Sequence, residues 1–217
     1  MIINLNLQGK KVLVVGGGNE SLKRINSLLN QNCKIKVISD EIGKSIENLV
    51  KKKKIEFKKQ KLKNADFLSA EKPFLVISTT NDMKLNQLIV NMAKKNKIIV
   101  YSSDNPETSD FSNPAVIDLE NLIQIAIFTG GKSPTMSKKI KEQVEKFLEK
   151  TITNEDLGQI KIQEIARNLA KNKIDNQTQR KVFLKGIMND KEIKQLIKDG
   201  EPKKAENRVN AILRNWK

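Results

Sequence analysis

Residues 10–29 read KKVLVVGGGNESLKRINSLL, and their reading decides the fold. Val12–Val15 is an uninterrupted apolar run rich in β-branched residues, which predicts a strand buried on both faces. Gly16, Gly17 and Gly18 follow at once, and Leu22, Ile25, Leu28 and Leu29 then recur at helical spacing. A glycine turn between a buried strand and a helix aims backbone N–H groups and the positive helix end at one point. That point suits a pyrophosphate, the charged middle of a dinucleotide. Against the pattern G-x-G-x-x-G the matches are Gly16 and Gly18, with Ser21 in place of the third glycine. The third glycine serves close helix–strand packing, which a residue as small as Ser can approximate.

The acid that accompanies such a turn is present. Lys34–Ser39, KIKVIS, alternates like a second strand and ends at Asp40 and Glu41. A carboxylate about 20 residues past the glycines is placed to accept from ribose hydroxyls. It would repel a 2′-phosphate, so the sequence favours NAD over NADP. Asp40 can also be read as the cap of the helix over Ile42, Ile46 and Leu49, and the two roles are compatible.

The alternation continues outward from this unit. Ile55–Phe57 predicts a short third strand, and the KKKK run at 51–54 a solvated helix end. Phe74–Ser78 is another apolar strand, closed by Thr79, Thr80, Asn81 and Asp82. A helix over Leu85, Leu88, Ile89 and Met92 follows, then the strand Ile98–Tyr101. Alternation of this kind implies right-handed crossovers and a parallel sheet, with ligands at the carboxyl ends of the strands. Gly16–Gly18, Asp40, Thr79–Asp82 and Ser102–Asp104 should therefore be neighbours.

After Pro106 the pattern changes. Ala115–Ile117 and Leu122–Phe128 read as two strands of a hairpin joined by residues 118–121. In the segment TGGKSP, Thr129–Pro134, Ser133 suits an N-cap and Pro134 the first helical position. The helix that follows carries Met136, Ile140, Val144, Phe147 and Leu148 on one stripe, and TITNED at 151–156 predicts a break. Beyond it the pattern is wholly helical: over Ile162–Leu169, Val182–Met188 and Ile193–Ile197, then from Pro202 to Trp216 after Gly200.

Composition sets the outer limits. The 217 residues, 38% of them hydrophobic, suffice for one large domain plus a smaller helical one. No apolar run approaches the roughly 20 residues of a membrane span, and Met1–Leu7 lead straight into the first strand without a signal-peptide layout. No membrane association is expected. Cys33 is the single cysteine, which excludes an internal disulfide, fits a reducing cytoplasm, and is expected to be a buried structural thiol. There is no histidine. Acid–base chemistry must then fall to Asp, Glu, Lys, Tyr101 or Cys33, and no metal site is predicted.

The net charge of +16 comes from 41 Lys and Arg against 25 acids. A field of that sign attracts nucleic acid, anionic lipid or a polycarboxylate, and a lysine-rich genome composition would produce it too. Only five of the 41 are arginine, and aromatics are 4% of residues. Specific base readout leans on Arg and single-strand stacking on aromatics, so no specific nucleic-acid partner is expected.

Four separated motifs now carry a resemblance: GKKVLVVGGG at 9–18, STTNDMKLN at 78–86, VYSSDNP running on to FSNPA at 100–115, and IAIFTGGKSPTMSKKIKEQVE at 125–145. The glycine run is shared by many dinucleotide folds; the combination of SDNP, FSNPA and TGGKSP is far more specific. The chain resembles the precorrin-2 dehydrogenase family, the stand-alone form of the first module of siroheme synthase, over residues 5 to about 150. The helical tail fits by length and pattern. The resemblance implies an α/β fold: a Rossmann-like NAD-binding domain over 1–113, a hairpin plus helix for dimerisation and the substrate cleft over 114–150, and a helical domain over 151–217. It implies a cytoplasmic homodimer that oxidises precorrin-2 to sirohydrochlorin with NAD as hydride acceptor, with weak or absent iron insertion.

Residue by residue, the resemblance implies catalysis by Asp104. For that role the sequence alone offers a carboxylate at a strand end, with the cap of the turn at Asn105–Pro106 as the other reading. The family's cofactor contacts fall on Asn19, Glu20, Asp40 and Glu41, joining Gly16, Gly18, Thr79, Thr80 and Asn81. The substrate is a tetrapyrrole bearing many carboxylates, and Lys132, Ser133, Lys138 and Lys141 are candidates for holding it. The lysines also read as ordinary helix-surface residues.

The chain departs from the family pattern at three places. Asn19-Glu20-Ser21-Leu22-Lys23-Arg24 replaces the usual x-V-A-x-R-K, so the Glu20 side chain must turn away from the pyrophosphate. Ser39-Asp40 stands for Ala-Pro, and Phe128 for a small hydroxyl residue. These changes bear on activity and substrate more than on the fold. Two other classes compete. One is a non-catalytic relative that binds NAD or tetrapyrrole and docks on a pathway enzyme such as glutamyl-tRNA reductase. The other is a dinucleotide-sensing regulatory domain, which has no reason to carry TGGKSP.

Overall fold

Five strands, β1 (Lys11–Val15), β2 (Lys34–Ser39), β3 (Glu56–Lys59), β4 (Leu75–Ser78) and β5 (Ile99–Ser102), form one parallel sheet in the computed structural model, which describes residues 2–216. Their spatial order is β3-β2-β1-β4-β5. Chain order runs outward from β1 in one direction and from β4 in the other, so the connections diverge between these two strands. Val12 pairs with both Ile35 and Leu75, and Val15 with both Ile38 and Ser78.

Alternation along the strands feeds two cores. Val12, Val14, Ile35 and Val37 pack with Ile25 and Leu28 of α1 (Asn19–Leu28) and Ile46 of α2 (Lys44–Lys51). Leu13, Val15, Ile38, Val76 and Val100 pack with Leu68 of α3 (Phe67–Glu71) and Leu85, Ile89 and Ala93 of α4 (Met83–Lys95). This is the Rossmann-like layering of a sheet between two helical faces. Cys33 is half-buried rather than buried; its thiol donates to the Leu28 carbonyl at 3.6 Å, and burial raises its pKa.

The structure corrects four local readings. The third strand is Glu56–Lys59, not 55–57: Ile55 is buried in the turn before it, and the edge strand continues on lysines that need no burial. Asp40 does not cap α2. The cap position is Gly43, and the Asp40 carboxylate instead accepts from the Glu41 N–H at 3.0 Å. Helix α3, five residues without a side-chain cap, leaves no periodic signal and was not expected. The break at 151–156 shrinks to 152–153, because Thr153 and Asp156 form a capping box that starts the next helix.

The chain divides into two compact units at Pro114 and Ala115. The second opens with an antiparallel hairpin, β6 (Ala115–Leu119) and β7 (Ile123–Ile127), turned by Glu120 and Asn121, both at positive φ. Helix α5 (Pro134–Thr151) starts at Ser133, whose hydroxyl accepts from the Met136 N–H at 3.2 Å. Helices α6 (Asn154–Lys173), α7 (Gln177–Asn189), α8 (Lys191–Lys198) and α9 (Pro202–Arg214) close around Ile162, Ala166, Phe183, Ile187, Ile193 and Val209. Trp216 meets Phe183 edge-on at 5.2 Å.

Candidate functional site

At the carboxyl ends of β1, β2 and β4 the first unit opens into a cleft of about 560 Å³. Its walls include Gly16, Gly18, Asp40, Glu41, Thr79, Thr80 and Asn81, seven of the residues singled out in the sequence. The divergence of connections between β1 and β4 leaves room for it, as in other open α/β sheets.

Each of the three glycines answers a separate demand. Gly16 turns the chain at φ +119°, and a Cβ there would press on Thr79 O and Thr79 Oγ1 at 2.9 Å. A Cβ on Gly17 would collide with the Glu41 carbonyl, because Gly17 O accepts the Gly43 N–H at 3.0 Å and the two loops touch. At Gly18 a Cβ would meet no protein atom within 4 Å, although the residue lines the cleft. Gly18 is also the N-cap of α1 and provides no side-chain cap. The N–H groups of the first turn are thus left for an outside acceptor, and the space beside them is open. A dinucleotide pyrophosphate fits this donor set.

Ser21 and Thr79 do the work expected of the third glycine by a different route. Both are buried, their hydroxyls lie 2.8 Å apart, and Thr79 Oγ1 donates to Val15 O at 2.9 Å. The pair locks α1, β1 and the end of β4 together beneath the cleft.

Asn19 and Glu20 begin α1 outside the cleft lining. The Glu20 carboxylate is taken up by Arg24 and, at 3.3 Å, by Lys23. Partial burial would raise its pKa, but the two cations outweigh this and hold it below the usual value. Arg24 also lies over the Tyr101 ring, 4.9 Å from its centroid, and donates to the Tyr101 hydroxyl at 3.2 Å. The charge that could oppose a pyrophosphate is therefore neutralised within α1.

Asp104 follows β5 and is exposed. Partial burial of its carboxyl would raise the pKa. Hydrogen bonds from Ser102, Asn86 and the backbone N–H groups of Asp104 and Asn105 prevail and hold it below the usual carboxylate range. The Ser102 hydroxyl donates at 2.5 Å. Asp104 is therefore ionised and open to solvent at neutral pH. It is not among the residues lining the cleft, whereas Thr80, bonded to Asn86, is. Asn86 was not singled out in the sequence. Its signal was a polar residue on the apolar stripe of α4, beside Leu85, Ile89 and Val90.

Lys132, Ser133, Lys138 and Lys141 belong to the second unit. Lys132 and Ser133 form the turn into α5, where Thr129 Oγ1 accepts the Ser133 N–H at 3.2 Å. Lys138 is exposed on the helix, and Lys141 pairs with Glu145 at 3.5 Å. Among the described residues no three His, Cys, Asp or Glu side chains cluster as a metal site would need, and no helix is long and apolar enough to cross a membrane.

Known proteins resemble this chain in sequence and in fold. A family model described as putative NAD(P)-binding matches residues 3–115. Siroheme synthase of Buchnera aphidicola is 35% identical over 146 residues, 67% of this chain and 30% of that protein. Siroheme synthase of Baumannia cicadellinicola is 29% identical over 211 residues, 97% of this chain and 44% of that protein. The chain thus spans less than half the length of these relatives. Among solved structures, SirC, precorrin-2 dehydrogenase, superposes with a TM-score of 0.70 at 23% identity, covering 97% of this chain and 99% of that one, which speaks to the fold.

Proposed function

Since this chain belongs to the putative NAD(P)-binding family, whose model spans residues 3–115, we propose that it oxidises precorrin-2 to sirohydrochlorin with NAD. The observation that carries the reading is an ionised, accessible carboxylate, Asp104, after β5 in the unit that holds the dinucleotide cleft. The siroheme synthase relatives point to the same pathway.

Bound NAD supplies the hydride acceptor. The free N–H groups of the first turn of α1, which starts at Gly18, would hold its pyrophosphate, and Asp40 and Glu41 would accept from its ribose. Asp40 is exposed in the cleft wall. Its charge favours free ribose hydroxyls over a 2′-phosphate, hence NAD over NADP. Oxidation removes two hydrogens from the substrate. One leaves as hydride, and the other leaves as a proton, which the Asp104 carboxylate accepts. Lys132, Ser133, Lys138 and Lys141 supply positive charge and a hydroxyl for the substrate carboxylates. Neutral pH keeps Asp104 charged and ready, because its hydrogen bonds stabilise the ionised form. Iron insertion, for which the chain offers no clustered ligands among the described residues, is not part of this reading. The setting is the cytoplasm, where the single cysteine stays reduced.

Replacing Asp104 tests the assignment. A general base contributes about 10²–10⁴-fold, so Asp104→Ala should lose precorrin-2 oxidation on that scale. NAD affinity measured by titration should stay unchanged, since the pyrophosphate and ribose groups sit on other strand ends. Oxidation at the wild-type rate would remove Asp104 from the mechanism.

A further inference from the structure

Of the buried residues of α4, namely Leu85, Asn86, Ile89, Val90 and Ala93, only Asn86 is polar, and it is 1% exposed. A primary amide in that position destabilises the fold unless it is hydrogen-bonded. Asn86 Oδ1 accepts from Ser78 Oγ and from Thr80 Oγ1, each at 2.6 Å, and Nδ2 donates to Thr80 O at 2.9 Å. A rotated amide would set its oxygen against the Thr80 carbonyl and lose both hydroxyl bonds, so its orientation is fixed. The buried Ser102 hydroxyl donates directly to the Asp104 carboxylate at 2.5 Å. Asn86 is next among the groups whose hydrogen bonding lowers the pKa of that carboxylate. Ser103 N–H, bonded to Ser78 O at 3.0 Å, fixes the ends of β4 and β5 against each other.

We infer that Ser102, seconded by Asn86, is a positioning residue that holds the Asp104 carboxylate at a fixed place on the turn after β5. The inference rests on Asp104 being the proton acceptor proposed above. Ser102 holds the carboxylate directly, and Asn86 is bonded to Thr80 in the cleft wall. A base must lie within hydrogen-bond reach of the proton it takes, and a displacement of about 1 Å can cost on the order of 10²-fold in rate. A carboxylate on the exposed turn after β5 would swing freely without the two side-chain donors. Their hydrogen bonds also keep it ionised, in line with its lowered pKa.

A double-mutant cycle on the full chain, with NAD and precorrin-2, separates positioning from simple structural support. Asn86→Ala and Ser102→Ala should each lower kcat about 10–100-fold, the scale of one lost hydrogen bond to a charged group. KM for both substrates should move less than about threefold. In the Asp104→Ala background the same substitutions should cost almost nothing more, because the group they position is gone. Should Asn86→Ala fail to melt cooperatively, Ser102→Ala carries the cycle, since it leaves the bonds of Asn86 to Ser78 and Thr80 in place. An unchanged kcat in Ser102→Ala overturns the inference. So does an equal loss with and without Asp104, and in either case the role of Asp104 stands. A fully active Asp104→Ala protein overturns both.

Discussion

Gly16, Gly17 and Gly18 look interchangeable in the sequence, yet each is required for a different reason, and only the first two reasons concern folding. Gly17 has no room for a side chain against the Glu41 carbonyl, whereas a Cβ on Gly18 would stand free of protein in the cleft. Gly17→Ala should therefore lower the melting temperature markedly or prevent folding. Gly18→Ala should melt like the wild type and lose NAD affinity, because its methyl group would occupy space beside the helix N-terminus. Thermal melts with and without NAD distinguish the two. At this scale the strand–glycine–helix unit and the acid after β2 were legible because glycine and a carboxylate have few substitutes in those roles. The Ser21–Thr79 lock and the bonds of Asn86 were not, since a hydrogen bond between residues 58 positions apart leaves no local pattern.

Among the elements, long periodic helices and apolar strands could be read from the sequence, β3 only with shifted bounds, and α3 not at all. β3 lies at the sheet edge and is half lysine, and α3 is too short to show a period. Yet α3 carries Glu71, which pins two strands: it pairs with Lys11 of β1 at 2.7 Å and Lys36 of β2 at 2.6 Å. Burial of Glu71 raises its pKa, and the two lysines lower it further than burial raises it, leaving it below the ordinary 4.5. A carboxylate whose folded pKa is depressed contributes stability above its unfolded pKa, and that contribution is lost as pH falls through the folded value. Glu71→Gln should destabilise the protein at pH 7 by about 1–3 kcal/mol, between the values for an exposed and a buried pair. The difference from wild type should begin to shrink as pH falls below about 4.5, the unfolded value. Urea unfolding at several pH values reads both. A difference that grows toward acid pH would contradict the ion-pair account.

For the whole molecule, the helical character of the tail followed from the pattern beyond TITNED at 151–156. What covers the hairpin and α5 did not, because the sequence shows which faces are apolar but not what meets them. Val116 and Phe128 at the hairpin, and Met136 and Phe147 on α5, are 40%, 47%, 45% and 64% exposed. A two-stranded hairpin is marginal by itself, and apolar surface of this kind is typical of an interface. We propose a two-fold homodimer through this region. Light scattering at micromolar concentration should give twice the mass of the chain, and Phe147→Glu should shift it toward the monomer. A monomeric wild type would contradict the proposal.

The central claim is the reaction itself, and it is tested most directly by mixing the purified protein anaerobically with NAD and precorrin-2. One NADH should appear for each sirohydrochlorin formed, over many turnovers per chain. If NAD binds and precorrin-2 binds but no NADH appears, the account is wrong, and the chain is a non-catalytic relative that docks on another enzyme of the pathway.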